Sequence, residues 1–325
     1  MAYQLMTYKK GADIPSLPGN NLFHSVELFK VFEQTPGYNP LMIIAYENGE
    51  PVGCLLSAVR KSVRWFPPSI IKRCEIYGSG EYFTEQNQEE IFGEMLQHLT
   101  RNVLNSCFLI EFRNLDNALF AYKYFRENHY FPINWLRIHN SLHSKSPEER
   151  LSSSRKRQIK RALDNGATMH VAETEEEIRT FAKMLKNNYS SKIRKHFPGI
   201  RFFLLLVQQN VTKEIGKIFI IKFKEKIIGG SVCLFSDKSA YLWFSGGLRK
   251  SYPLQYPGVL AVWKALLYAY ENGYQHMEYM DVGLPFKHHG YRDFILRFGG
   301  AQYSTRRWFR FRWNWLNRLL TKFYI

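Results

Sequence analysis

Apolar and polar positions along this chain fall into short segments whose spacing names their structure. Leu22, Phe23, Val26, Phe29 and Phe32 stand at helical spacing in NLFHSVELFKVFE, and TPGYNP stops the helix they predict. Leu41–Tyr46 and Pro51–Val59 are strand-like runs joined by Glu47-Asn48-Gly49-Glu50, a hairpin turn built on Asn-Gly. Val63–Pro68 carries Trp65, Phe66 and two prolines and suits a loop or a sheet edge. A short strand is expected over 74–78, a helix over 88–104, a buried strand over 107–112, a helix over 116–128 and a strand over 135–139. Leu142–Glu149 (LHSKSPEE) reads as the linker between two domains.

The second half runs in the same order. Ser152–Asn165 is a basic helix capped by serine and ended by Gly166. A strand is expected over 169–172. Thr174 and Glu177 have the spacing of a capping box at the head of the next helix. Periodicity does not decide between helix and buried strand over 201–209. Residues 216–223 and 227–235 form a second hairpin around Lys224-Glu225-Lys226. From Tyr241 to Gly300 the pattern is strand, basic Gly/Pro/Tyr loop, amphipathic helix starting at Pro257, strand ending on Asp281, and a loop dense in Lys, His and Arg. That order puts a helix N-terminus and a strand C-terminus at one end of a sheet, where ligands bind in α/β structures.

The halves superimpose as sequence. IIAYENGEPVGCLL lies over IIKFKEKIIGGSVCLF, the 88–104 helix over 257–271, and CFLIEFRN over HMEYMDVG, at a nearly constant offset. A duplicated α/β unit of about 150 residues is the economical explanation. The boundaries expected are 1–145 for a first domain and 150–325 for a second.

Charge narrows the partners. Lys and Arg total 45 against 28 Asp and Glu, a net +17, which favours phosphate-bearing or anionic partners. Cys54, Cys74, Cys107 and Cys233 lack metal-ligand or redox spacing and read as buried core thiols. The N-terminal stretch shows neither a signal-peptide core nor a cleavage site, and no apolar run reaches the ~18 residues of a membrane span. A cytoplasmic protein is expected, free or peripheral on the inner face of the membrane.

SSSRKRQIKRALDNGATMHV, then WFSGGLRKSYPLQYPGVLAVWKALLYAYENGYQHMEYMDVG and the closing YRDFILRFGG, resemble the second domain of FemAB-like transferases. Residues 150–305 carry that resemblance directly, and 1–140 share it through the repeat. It implies an α/β fold of two tandem GNAT-like acyltransferase domains, each a mixed central sheet flanked by helices. The first would be degenerate and acceptor-side. It further implies transfer of an acyl or aminoacyl group to an amine, often on a cell-wall or surface-glycan precursor, with acyl-CoA or aminoacyl-tRNA as co-substrate and no permanently bound cofactor. Two departures stand out. The GNAT pyrophosphate signature [QR]-x-x-G-x-[GA] is replaced by RKSYPLQYPG over Arg249–Gly258, and Ile295 stands where the closing F-K-x-x-F-G-G segment has lysine.

Acyl transfer to an amine needs a polarised donor carbonyl, a deprotonated amine and in-line placement. No G-x-S-x-G elbow and no Cys/His pair at catalytic spacing is present, so direct attack is expected without a covalent intermediate. Asp281, Lys287 and Tyr256 are the candidate catalytic residues. Asp281 closes a strand beside Val282-Gly283, where a carboxylate faces a ligand or simply caps the strand end. Arg292, Arg297 and Tyr252 are candidates for substrate binding; Arg292 and Asp293 are alternatively a latch on each other. Arg249, Lys250 and Gly258, with the N-terminus of the helix from Pro257, form a seat for donor phosphate. No metal site is expected. Arg155, Lys156, Arg157, Lys160 and Arg161 make an anion-facing or merely solvated helix surface.

The C-terminal RRWFRFRWNWLNRLLTKFYI places Leu316, Leu319, Leu320 and Phe323 on one helical face, with cations opposite and Trp308, Trp313 and Trp315 flanking. This suits either an interfacial helix on anionic lipid through 308–325 or a helix docked on the protein. The partners expected are therefore an amine-bearing glycan or lipid-linked acceptor, tRNA, and an anionic membrane surface. The competing function is a non-catalytic protein on a GNAT scaffold that binds nucleic acid or a membrane surface through its basic face.

Overall fold

The computed structural model describes residues 3–61, 72–115, 117–189, 197–209 and 214–324. The loop expected over 63–68 lies outside the described residues. The chain forms two compact units, residues 1–135 with 304–325, and residues 136–303. The C-terminal residues 304–325 thus pack with the first unit.

The first half runs β1 (Gln4–Tyr8), α1 (Val26–Glu33), β2 (Tyr38–Glu47), β3 (Glu50–Lys61), β4 (Lys72–Tyr77), β5 (Glu81–Tyr82), α2 (Gln88–Val103), β6 (Leu109–Arg113), α3 (Tyr122–Glu127) and β7 (Phe131–Ser141). The second half adds a short α4 (Pro147–Arg150) and then repeats the order. It runs α5 (Ser153–Asp164), β8 (Thr168–Val171), α6 (Glu175–Asn188), α7 (Ile200–Gln208), β9 (Gly216–Phe223), β10 (Lys226–Ser236), β11 (Ser239–Gly247), α8 (Pro257–Glu271), β12 (His276–Tyr279), α9 (Gly290–Leu296) and β13 (Ala301–Phe311), and ends in α10 (Asn314–Tyr324). The segment left open over 201–209 is a helix.

Local chemistry explains most boundaries. Asn48 and Gly49 take positive φ at the β2–β3 turn, the backbone a two-residue hairpin requires, and Lys224 and Glu225 take it at the β9–β10 turn. Thr174 and Glu177 form the expected capping box on α6, and Ser152 caps α5 by accepting from the Arg155 N–H. The expected linker is ordered: Leu142 is buried, and Ser146 caps α4.

In the first unit the strands lie in the order β1-β2-β3-β4-β6-β13, with β4 and β6 parallel. Ile91, Phe92, Met95 and Leu99 of α2 are buried against Ile43, Leu55, Ile76 and Ile110 of that sheet. In the second unit the order is β8-β9-β10-β11-β12-β7, with β11 and β12 parallel. Leu260, Trp263 and Leu266 of α8 pack into a core with Phe219, Phe235, Leu242 and Met277. The four cysteines are buried and free.

Each sheet is completed by the strand that ends the other half of the sequence. β7 pairs antiparallel with β12, from Ser141↔His276 to Ile138↔Tyr279. β13 pairs antiparallel with β6, from Arg307↔Arg113 to Phe311↔Leu109. The two junctions carry the same chemistry. Arg307 donates to Glu111 at 3.0 Å and lies over the Trp135 ring at 3.9 Å. Arg137 donates to Glu278 at 2.9 Å and lies over the Tyr303 ring at 5.4 Å. Both carboxylates are buried. Burial alone would raise the Glu111 pKa, but Arg113, Arg307 and Arg73 hold it down to about 2.

The sequence reading misses β13. Trp308, expected at the flank of an interfacial helix, is fully buried on that strand and stacks on Phe125 at 4.5 Å. The basic run on α5 also divides. Arg155 is buried, donates to the Phe294 carbonyl at 2.7 Å and lies 4.5 and 4.4 Å from the Phe294 and Phe298 ring centroids. Lys156, Arg157, Lys160 and Arg161 remain exposed.

Candidate active site

The site begins at a β-bulge. In the β10–β11 pairing Val232 opposes Phe244 and Cys233 opposes Leu242, so the register shifts by one residue at Trp243. The last β11–β12 pair is Leu242↔Tyr279. Beyond it β12 ends, while β11 continues beside β10 to Gly247. Two parallel strands thus part at their C-terminal ends and, among the described residues, leave Phe244–Gly247 on one edge of β11 without a strand partner. Among the described residues, the corresponding strands of the first unit do not part. β4 and β6 stay paired through Tyr77↔Arg113, and the Gly78 N–H still donates to the Arg113 carbonyl at 2.9 Å.

Four polar side chains converge where β11 and β12 separate. Tyr189, at the C-terminal cap of α6, donates to the Ser245 carbonyl at 3.1 Å. The Ser245 hydroxyl lies 3.3 Å from the Tyr291 hydroxyl of α9. Asp281 is exposed just past β12. Burial raises the Tyr189 pKa to about 12, and the Asp281 charge adds to that rise. Burial also raises Tyr291, again with a contribution from Asp281. Both phenols therefore stay protonated at neutral pH. Tyr279, the last paired residue of β12, is fully buried, and its hydroxyl has no hydrogen-bond partner among the described residues. Phe197, Phe203 and Phe244 continue the site as an aromatic wall, with Phe197 5.7 Å from Tyr189 and 5.3 Å from Phe244.

The candidate phosphate seat is built by close approach. A Cβ on Gly229 would sit 2.8 Å from Pro257 Cβ, and one on Gly247 would sit 2.6 Å from the Gly258 nitrogen. Only glycine at both positions lets the head of α8 press onto β10 and β11. Tyr256 precedes the helix at φ 41, and its carbonyl accepts from Val259 and Leu260. Gly258 is the second residue of α8, so its N–H has no partner within the helix. A Cβ there would meet nothing within 4 Å, which leaves the helix N-terminus open. Arg249 and Lys250 are exposed on the loop leading to it.

The structure therefore brings Arg249, Lys250, Tyr252, Tyr256 and Gly258 together in one segment at the end of the strands where Asp281 stands. Tyr252 packs edge-on to Phe223 at 6.0 Å, beneath the Lys226 amine at 5.9 Å, and so ties the loop to the β9–β10 hairpin. The other candidates are placed elsewhere. Lys287 is exposed, and the bonds it makes are through its backbone. Arg292 does not pair with Asp293. It donates to the carbonyls of Leu284 and Lys287 at 2.8 Å each, while Asp293 meets His288 at 2.9 Å. Arg297 is exposed after α9 and near enough to Arg155 to oppose its charge. Tyr189, Ser245 and Tyr291 were not singled out by sequence reasoning. Their signal is positional, a bulged strand followed by a basic loop, and no side-chain motif announces it.

A groove of about 840 Å³ runs between α6 and the β9–β10 turn, lined in part by Thr174, Lys183, Asn188, Lys222 and Leu248. It reaches the first residue of the basic loop and does not include Asp281 or either tyrosine, so the divergent strands and not this groove mark the candidate reaction centre.

Residues 152–288 match the family model of the acetyltransferase (GNAT) domain. No curated protein sequence matches the chain. Among solved structures the chain is similar to FemX, at TM-score 0.63 and 12% identity over 98% of this chain and 99% of that one. It is also similar to a tandem GNAT protein from the clavulanic acid biosynthesis pathway, at TM-score 0.60 and 11% identity over 95% and 99%. A third is the C-terminal domain of an Agrobacterium fabrum protein described as a lysylphosphatidylglycerol synthetase, at 0.54 and 10% over 93% and 91%. Residues 152–288 thus carry a GNAT acetyltransferase domain, and the fold shared with FemX and the tandem GNAT protein runs over nearly the whole chain.

Proposed function

We propose that the second unit transfers an acyl or aminoacyl group from a phosphate-bearing donor to an amine of a cell-envelope glycan or lipid-linked precursor. The observation that carries this reading is the parting of β11 from β12 beside an open helix N-terminus, with Tyr189, Tyr291, Ser245 and Asp281 at the fork. Donor phosphates meet Arg249, Lys250 and the Gly258 N–H. The acyl arm lies along the edge of β11 that β12 leaves unpaired. Asp281 orients the acceptor amine and takes its proton as nitrogen attacks the donor carbonyl. The N–C bond forms and the bond to the donor sulfur or ribose oxygen breaks. Tyr291, kept protonated, supplies the proton to that leaving atom. Lys287 and Arg297, both exposed, are left to bind the acceptor, and Arg292 holds the loop that carries Lys287.

Acyl-CoA and aminoacyl-tRNA both bring phosphate to this seat. AcCoA is mentioned for the tandem GNAT relative, which makes acyl-CoA the first donor to test. The lysylphosphatidylglycerol synthetase is named for a lipid, which supports a lipid-linked acceptor, and an anionic membrane surface contacted through α10 is part of the same reading. The closed β4–β6 pair supports an acceptor-side role for the first unit. The test is a thermal-shift and mass-spectrometry screen against acyl-CoAs, charged tRNA and nucleotide sugars. One donor class should stabilise the protein, and paired Arg249→Glu and Lys250→Glu changes should abolish that shift. Donor binding unaffected by those changes would remove the assignment.

A further inference from the structure

The last helix, α10, has two apolar faces, and one is bound to its own unit. Asn317 is buried, and its amide brackets Phe311, accepting from that residue's N–H and donating to its carbonyl at 2.8 Å each. Leu316 and Leu320 are half-buried on the same side, and Trp313 meets Phe108 edge-on at 5.3 Å. The other face is open. Trp315, Leu319 and Phe323 follow one another at i, i+4 and i+8 and are 66%, 46% and 75% exposed. They form a single row about 12 Å long. The one apolar face expected from the sequence is therefore split, with Leu316 and Leu320 turned inward and Leu319 and Phe323 outward.

The charge that this segment leaves outside the core has one sign. Arg307 is paired with Glu111 and Arg310 is buried, which leaves Arg306, Arg312, Arg318 and Lys322, and residues 304–325 contain no acid. Arg318 and Lys322 are exposed and flank the row. A second copy of the chain would bring the same cations face to face and is disfavoured. An anionic lipid surface satisfies both features, since headgroup phosphates meet the cations while the tryptophan, leucine and phenylalanine enter the interface. No described helix is long and apolar enough to cross a membrane, so α10 would lie in the plane of the surface.

We infer that Trp315, Leu319 and Phe323, flanked by Arg318 and Lys322, dock the protein on anionic phospholipid bilayers. The inference sharpens the membrane contact named above but is independent of acyl transfer, because vesicle binding is read without turnover.

The test is co-sedimentation of the full chain with phosphatidylcholine vesicles, with and without phosphatidylglycerol. Binding should require phosphatidylglycerol and weaken as salt rises. The triple change Trp315→Ala, Leu319→Ala and Phe323→Ala should weaken it about tenfold or more while leaving the melting temperature unchanged, since all three side chains are exposed. Leu119→Ala, at another exposed leucine, should leave binding intact. Equal sedimentation of the triple variant would overturn the proposal. So would equal binding to neutral vesicles, binding to RNA in place of vesicles, or a dimer in light scattering that the triple change dissolves.

Discussion

Gly247→Ala isolates the contact that presses the head of α8, the proposed phosphate seat, onto β11. The new Cβ would lie 2.6 Å from the Gly258 nitrogen and 2.8 and 2.9 Å from Pro257 Cβ and carbonyl carbon. Two of these three neighbours are backbone atoms, so no rotamer change relieves the clash. The head of α8 must move off the strand. Overpacking of this kind costs about 1–3 kcal/mol. For a unit of this size, each kcal/mol lowers the melting temperature by about 2–4 °C, so a fall of about 2–12 °C is expected by calorimetry. Gly258→Ala is the matched control. Its Cβ meets nothing within 4 Å, and alanine favours the helix, so the melting temperature should hold or rise slightly. The same methyl group stands over the open helix N-terminus, however, and should weaken donor binding about tenfold. One glycine is thus required for assembly and the other for access. A Gly247→Ala protein as stable as the parent would refute the close packing of α8 on β11. Undiminished donor affinity in Gly258→Ala would refute the seat.

Other consequences follow from the same geometry. Tyr291→Phe should bind donor normally and lose about 10²-fold or more in kcat, measured by acyl transfer once a donor is found; unchanged kcat would assign the proton to another group. His24 is wholly buried, with the Leu56 and Gly80 N–H groups facing its two ring nitrogens at 3.1 and 3.0 Å, and burial lowers its pKa to about 3. The unfolded chain therefore takes up the proton first, and stability falls as pH drops from about 6.5 toward 3. At about pH 5.5 the loss is about 1.4 kcal/mol by urea titration, and a His24→Phe variant with the same pH slope would contradict this. Glu111→Gln leaves Arg113 and Arg307 facing a neutral amide and should cost about 3–5 kcal/mol in chemical denaturation. A loss below about 1 kcal/mol would mean that solvent already screens the cluster.

What the sequence makes legible is local. Asn48-Gly49, the Thr174/Glu177 capping box, the Ser152 cap and Pro257 at the start of α8 announce themselves within a few residues, because each solves a backbone problem on the spot. The order of elements, and through it the duplication, was legible for the same reason. What was hidden depends on partners far along the chain. Arg137, Arg155 and Arg307 look like surface cations until Glu278, the Phe294–Phe298 pair and Glu111 enclose them. RRWFRFRW resembles the flank of an amphipathic helix because strong aromatic and basic content masks its two-residue alternation. Of the candidate site, the basic loop and Asp281 could be found by type and position. Tyr189 and Tyr291 gain their place only when the bulge at Trp243 opens the sheet between them.

The exchange of β7 and β13 also sets the order in which the protein can be made. β7 is synthesised long before β12, the strand it will lie against. β13 reaches β6 only after β8 to β12 have been made, so the slot for Trp308 beside Phe125 stays empty throughout elongation of the second half. At usual translation rates that wait lasts roughly ten to forty seconds. During it the β6 edge and an aromatic cavity stand open to solvent and to neighbouring nascent chains. The first unit, though encoded first, is finished last. A stop codon just ahead of β13 would therefore release a product with both halves of its sequence nearly complete and an incomplete N-terminal fold.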